Sequence, residues 1–531
     1  MKQHMQRILV FGLTLVILVL WSSCRKDFNF EPSNGTLTFS KDTVYLDTVF
    51  TNIGSSTYNL KVYNRSDRDI VIPTLRLGQG QNSNYRLNVD GLTGEGPIAG
   101  KEFTNVELLS NDSMYIFIET TIDIQDLVSS DTQFLYTDRI EFDSGNNLQT
   151  VELVTLVKDA HFIFPSRFIG PEGETIIETL TFDVDGDGID DETTIQGRFL
   201  TGEELIFTNE KPYVIYGYAA VDENQTLTID AGARVHFHAN SGLLVTNNAS
   251  LVVNGAPSTD AMALENEVIF EGDRLEPSFS EVPGQWQTIW LFNGSTGNQI
   301  NHATIKNGTV GILSDGNQID PNKLVITNSQ IYNSSNFGIL GRATNIYGEN
   351  VVINNSGQSS LAGTIGGRYN FVHSTIANYW TNSFRQFPAL LLNNFVIDED
   401  LNATVNPLEE ANFTNCIIYG NDNPELLLDR DTNSDFNFKF TNSLLRFDNS
   451  SGNFDSPLYD FNNIDLYENL FRNIDPEFLD PTANKLQIAN GSIADGVGIN
   501  FGILNVDITG ITRETPSDLG AYESTDFPED D

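Results

Sequence analysis

From Thr36 to Ala160 apolar and polar residues alternate in short runs broken by turn residues, as in Tyr58-Asn59-Leu60-Lys61-Val62, where every second side chain is apolar. A period of two marks strands with one face buried. Seven runs fit: Thr43 to Phe50, Tyr58 to Tyr63, Ile70 to Leu77, Tyr85 to Val89, Met114 to Thr120, Arg139 to Phe142 and Thr150 to Val157, with a tight turn at Ser144-Gly145-Asn146-Asn147 before the last. That number of strands predicts an immunoglobulin-like β-sandwich over 36–160, serving as a spacer or docking surface.

Beyond Tyr216 the texture changes to shorter and more frequent Val/Ile runs, such as Leu227-Thr228-Ile229, Val235-His236-Phe237 and Leu251-Val252-Val253. A repeat follows: Thr304-Ile305-Lys306-Asn307, Gln330-Ile331-Tyr332-Asn333, Val352-Ile353-Asn354-Asn355 and Thr375-Ile376-Ala377-Asn378. The intervals between Ile305, Ile331, Ile353 and Ile376 are nearly even and match the length of one rung in a parallel β-helix. Stacking would place the isoleucines inside and Asn307, Asn333, Asn355 and Asn378 in an amide ladder, with rungs about 4.8 Å apart. The pattern loosens at Cys416-Ile417-Ile418 and Ser443-Leu444-Leu445, after an insertion from Tyr379 to Asn415. Cys416 reads as a small buried residue. The fold class is therefore all-β, a sandwich followed by a parallel β-helix.

The start of the chain carries a different pattern: Lys2 and Arg7, an apolar run from Ile8 to Leu20, then Trp21-Ser22-Ser23-Cys24. The run is short for a bilayer-spanning helix and fits an export signal. Small residues before the cysteine mark a lipoprotein cleavage site, predicting a signal peptide at 1–23, an acylated Cys24 and a tether at 24–35. Cys416 is then the one remaining cysteine, so no intrachain disulfide can form.

Net charge is −43, and removing Lys2 and Arg7 with the leader makes it −45. A surface this acidic repels phosphate backbones and anionic headgroups, so nucleic acid is excluded as a partner and the N-terminal lipid must hold the membrane.

Within residues 161–215, read as a connector, Phe182-Asp183-Val184-Asp185-Gly186-Asp187-Gly188-Ile189-Asp190-Asp191 has the spacing of a calcium loop. Asp183, Asp185, Asp187 and Asp191 fall at positions 1, 3, 5 and 9, Gly188 supplies the sharp turn and the Ile189 carbonyl stands at position 7. Position 12 is Thr194 instead of Glu. The loop resembles those of thrombospondin type 3 repeats and dockerins more than a full EF-hand, and predicts structural calcium.

Lys211-Pro212-Tyr213-Val214-Ile215-Tyr216-Gly217-Tyr218, Gly284-Gln285-Trp286 and Asp518-Leu519-Gly520-Ala521-Tyr522-Glu523 resemble the right-handed parallel β-helix surface lipoproteins of Bacteroidetes type, with a pectate-lyase-like fold. The resemblance implies a right-handed coil over 216–500, a C-terminal cap and acidic tail over 501–531, and outer-membrane display aided by Arg25-Lys26-Asp27. It carries over no catalytic residues.

The acids Asp315, Asp398, Asp422 and Glu425 are scattered, without a catalytic pairing legible in the sequence. Arg342, Arg368, His373 and Trp380 form the nearest candidate ligand-binding cluster. The interval from Arg342 to Arg368 equals that from Ile305 to Ile331, so the two arginines could stack on successive rungs. The expected function is a non-catalytic surface module binding glycan or envelope partners. Its alternatives are an accessory subunit of an outer-membrane complex and a polysaccharide lyase or hydrolase.

Overall fold

The computed structural model describes residues 29–527 except 127–132, 172, 261–262, 317–319, 322, 399, 451 and 453. Residues 1–28, with Cys24, lie outside the described residues. The chain divides after Lys158 into two compact units.

The first unit is a β-sandwich. One sheet orders the strands 31–32, 70–77, 133–142, 149–158 and 43–50, with 102–108 on 70–77; the other orders 38–39, 58–63, 113–120 and 85–89. The inward residues, among them Val44, Leu60, Ile72, Ile116, Ile140 and Leu153, form one core. Within it Tyr85 Oη donates to Tyr136 O at 3.1 Å and lies 3.0 Å from Thr155 Oγ1, tying the two sheets. The strand Glu102–Leu108 escapes an alternation test. Asn105 adopts φ 51°, so Phe103 and Val106, three apart, both point inward.

The second unit is a parallel β-helix with three walls, its crossovers following the right-handed rule for parallel strands of one sheet. The first wall stacks 213–215, 234–237, 268–272, 303–306, 329–334, 351–356, 375–378 and 417–420. The second stacks 218–221, 242–245, 289–291, 310–315, 337–342, 361–364 and 390–393. The third stacks 226–230, 250–254, 298–301, 324–327, 344–349, 367–372 and 408–414. Ile305, Ile331, Ile353 and Ile376 lie in register and fully buried, each burial stabilising the coil by about 1.5–3 kcal/mol. On the third wall Phe371, Phe413, Phe440 and Tyr467 stack with centroids 5.9, 5.0 and 5.6 Å apart.

Two expected boundaries move. Residues 161–215 are not a connector but the first turn of the coil: His161–Ile163 pairs with Tyr213–Ile215, Gly197–Phe199 with Tyr218–Ala220 and Ile206–Phe207 with Thr228–Ile229, all in parallel. The acidic loop joins Thr179–Phe182 to Asp191–Phe199 in a hairpin, and this insertion hides the rung period. At the other end the last rung strands are Tyr467–Glu468 and Phe471–Arg472, short of the expected limit at 500.

The segment after Arg472 runs back along the first wall. There the outward positions Val352, Ala377, Ile417 and Leu444 are apolar, and Leu486, Ile508, Ala521, Ile488, Ala494 and Leu519 cover them.

Candidate functional site

Each rung must turn three times, and asparagine reaches the left-handed backbone region at the corners more readily than other side chains. Asn307, Asn333 and Asn355 do so where the first wall ends, with φ of 65°, 57° and 54°. Asn333 Nδ2 donates to Asn307 Oδ1 at 3.3 Å, and Asn355 to Asn333. The expected fourth member leaves this ladder: Asn378 Nδ2 donates to Ser356 O and Gln358 O at 2.9 and 3.0 Å.

A second, longer row stands where the third wall meets the first: His302, Asn328, Asn350, His373, Asn415, Asn442 and Asn469, all at positive φ. Asn350 donates to Asn328 at 2.9 Å, Asn415 Nδ2 meets His373 Nε2 at 2.9 Å and Asn469 donates to Asn442 at 3.4 Å. The signal was present in the sequence, since the first six members each stand three positions before a buried aliphatic of the first wall (302/305, 328/331, 350/353, 373/376, 415/418, 442/445). The row also holds the C-terminal segment, through Asn350 Nδ2 to Val506 O at 2.8 Å, Asn415 Nδ2 to Ile499 O at 2.7 Å and Asn442 Nδ2 to Val497 O at 3.1 Å.

The expected cluster of Arg342, Arg368, His373 and Trp380 does not assemble. Arg342 is on the second wall, opposite Asp315 and Thr364, whereas Arg368 is on the third, opposite Asn345. Their interval does not make them rung neighbours, because this rung is shorter and Thr364 takes the place above Arg342. Both arginines hold carboxylates: Arg342 grips Asp315 through Nε and Nη2 at 2.5 and 2.6 Å, and Arg368 Nε donates to Glu409 at 2.7 Å. Trp380 is buried, with Nε1 on Ser383 Oγ at 3.0 Å. His373 is a corner residue, and burial together with the Arg513 charge pushes its imidazole down to about 3. It lines an open cavity of about 370 Å³ together with residues from the 500–517 stretch, where Arg513 is held by Glu523 at 2.7 Å.

The acidic loop brings three of its five expected ligands together. Single carboxylate oxygens of Asp183, Asp185 and Asp187 lie within 4.8 Å of one another. Asp183 accepts Gly186 N and Gly188 N at 2.7 and 3.0 Å, which holds both its oxygens within the loop. Asp191 is outside that group and accepts Val184 N at 3.1 Å, while Ile189 N donates to Asp187 at 2.8 Å.

A different site emerges on the first wall, beyond the edge of the C-terminal segment. Here the outward residues are polar, and a cavity of about 260 Å³ forms over Gln330 and Tyr332. Three parts of the chain wall it: the 255–267 insertion with Ser258 and Glu267, the following insertion with Glu281, and the C-terminal segment with Gln487 and Tyr522. Thr304 Oγ1 donates to Glu267 at 2.7 Å and Asn333 Nδ2 to Glu281 at 2.5 Å. Burial pushes the Glu267 carboxyl above the usual carboxylate range, against the Thr304 hydrogen bond and the Arg234 charge. Burial and the Glu281 carboxylate push the Tyr332 hydroxyl up, so it stays protonated and able to donate. The buried Gln487 Oε1 has no hydrogen-bond partner among the described residues. Donors and acceptors thus converge on a space just under the ~300 Å³ at which small-molecule sites begin, room for one sugar-sized ring. Sequence reasoning could not place Glu267 and Glu281 together, because neither belongs to a rung repeat.

No family model matches the chain, and no curated protein matches it. Solved structures give distant likenesses. The catalytic unit of a thermostable GH87 α-1,3-glucanase from Streptomyces thermodiastaticus strain HF3-3 has 10% identity over 73% of this chain and 79% of that one, with a TM-score of 0.25. A family 123 glycoside hydrolase from Clostridium perfringens has 9% identity over 24% of this chain and 30% of its own, with a TM-score of 0.16. The chain thus spans less than a third of that hydrolase. A PapD-like domain of human CEP192 has 12% identity over 26% of this chain and 94% of that domain, with a TM-score of 0.15.

Proposed function

We propose that the chain is an envelope lipoprotein, anchored through an acylated Cys24 and shown on the outer-membrane surface, whose coil binds a glycan residue in the cavity over Gln330 and Tyr332. That cavity is the observation that carries the reading. Tyrosine hydroxyls and amides supply donors, while Glu267 and Glu281 supply acceptors for vicinal sugar hydroxyls. Glu281 and Lys485 offset each other in the lining and burial holds Glu267 toward its neutral form, so the ligand is a neutral sugar, N-acetylated amino sugars included. Oxygen-only donors at Asp183, Asp185 and Asp187 suit calcium, which would brace the hairpin of the first turn. The leader and lipid match the Bacteroidetes-type resemblance; labelling with radioactive palmitate, lost in Cys24→Ala, tests the anchor.

The binding test is retention of the Cys24→Ala chain on immobilised neutral and amino-sugar polysaccharides, with product release scored alongside. Retention that falls at least tenfold in a Gln330→Ala/Tyr332→Ala variant supports the reading, and retention unaffected by that variant overturns it. A hydrolytic reading has one observation in its favour, since Glu267 is held toward its protonated form in the same lining as Glu281, and glycoside hydrolysis needs an acid and a second carboxylate. Release of reducing sugar would move the assignment there.

A further inference from the structure

On the sandwich, strands 58–63, 113–120 and 85–89 turn one face to the core and leave the other uncovered within that unit. The uncovered face carries a row of aromatic and cationic side chains. Tyr115 and Phe117, 45% and 42% exposed, lie on one strand with ring centroids 6.2 Å apart and planes 15° from parallel. Lys61 Nζ bridges the row, 5.1 Å from the Tyr115 centroid and 5.4 Å from that of Tyr63, and the Arg65 guanidinium lies 4.3 Å from Tyr63.

Beside Phe117 a cavity of about 270 Å³ opens, lined by Arg86, Asn88, Thr93 and Glu119 among others. Glu119 is the one carboxylate among the outward residues of these three strands, and it is engaged by Arg86 at 3.7 Å and by the Thr57 hydroxyl. Lys61, Arg65 and Arg86 therefore gather three cations at this face in a chain whose net charge is −43.

The exposed Phe117 ring matches the apolar face of a pyranose, and the cations beside it match carboxylates or sulfates carried on such a sugar. We propose that this face is a second binding site, for an acidic polysaccharide, with a sugar ring on Phe117, its neighbour reaching the cavity, and its anionic groups paired with Lys61, Arg65 and Arg86. Its ligand class differs from that proposed for the first-wall cavity, a neutral sugar.

The test is isothermal titration of the Cys24→Ala chain with polygalacturonate oligomers and, separately, with neutral galactan oligomers. Polygalacturonate binding that weakens with added salt, and falls about tenfold in both Phe117→Ala and Lys61→Ala/Arg65→Ala, is the expected result. Phe117→Trp should restore a stacking ring and keep affinity, which separates a lost contact from a lost fold. Gln330→Ala/Tyr332→Ala should leave polygalacturonate binding unchanged. No binding of polygalacturonate, equal binding of the neutral galactan, or undiminished binding by Phe117→Ala would each overturn the proposal.

Discussion

Asn350 Nδ2 donates to Asn328 Oδ1 at 2.9 Å across one rung of the coil, and from the same nitrogen to Val506 O at 2.8 Å. One buried amide thus ties two rungs to each other and to the C-terminal segment. Asn350→Ala removes both bonds, strips Arg513 Nη2 of its 2.8 Å acceptor and leaves alanine at φ 54°. A loss of about 2–4 kcal/mol is expected from the stranded polar groups and the left-handed backbone, read as a fall in the thermal midpoint of the coil.

His373 makes the coil acid-sensitive. Its imidazole titrates near 3 when folded and near its ordinary 6.5 when unfolded, so between these values the unfolded chain binds the extra proton and stability falls as pH falls. The slope from this group is at most about 1.4 kcal/mol per pH unit. His373→Asn installs the residue type that fills the row at Asn350 and Asn415, and should flatten this acid limb in pH-dependent thermal unfolding. An unchanged limb would locate the sensitivity elsewhere.

Gly520 closes the C-terminal segment onto the first wall. It adopts φ +84°, and an added Cβ would sit 2.7 Å from Thr375 Oγ1 and 2.9 Å from Ile417 Cδ1. Gly520→Ala should cost about 1–3 kcal/mol of backbone strain alone, concentrated at this contact. Limited proteolysis should then cut the segment after Arg472 at concentrations of protease that leave the parent chain whole.

Calcium should raise the thermal midpoint of the coil through the loop of Asp183, Asp185 and Asp187. At a tenfold excess over Kd the gain is about 1.4 kcal/mol. Asp185→Ala should abolish the shift without moving the midpoint in chelator; equal shifts in both proteins would remove calcium from the loop.

Glu267→Gln separates binding from hydrolysis. Since burial already disfavours the charged form of Glu267, the amide should keep glycan affinity within about threefold. Any product release that depends on an acid at this position should vanish.

The sequence by itself determined several of the sandwich strands and the stacking of the isoleucine rungs. Thr43–Phe50, Tyr58–Tyr63 and Ile70–Leu77 coincide with their alternating runs, and the spacing of Ile305, Ile331, Ile353 and Ile376 matches their register. Burial imposes these patterns on neighbouring residues, so a local reading recovers them. Only the tertiary structure decided what the outward side chains meet. Rung length varies with each insertion, so spacing alone set Arg342 beside Arg368, although they face from different walls. The first-wall cavity joins Glu267, Tyr332 and Tyr522, residues from an insertion, a rung and the returning C-terminal segment. Their meeting depends on where a segment far downstream in the chain ends its cover of Val352 and Ala377, and on that long-range packing the periodicity of the chain is silent.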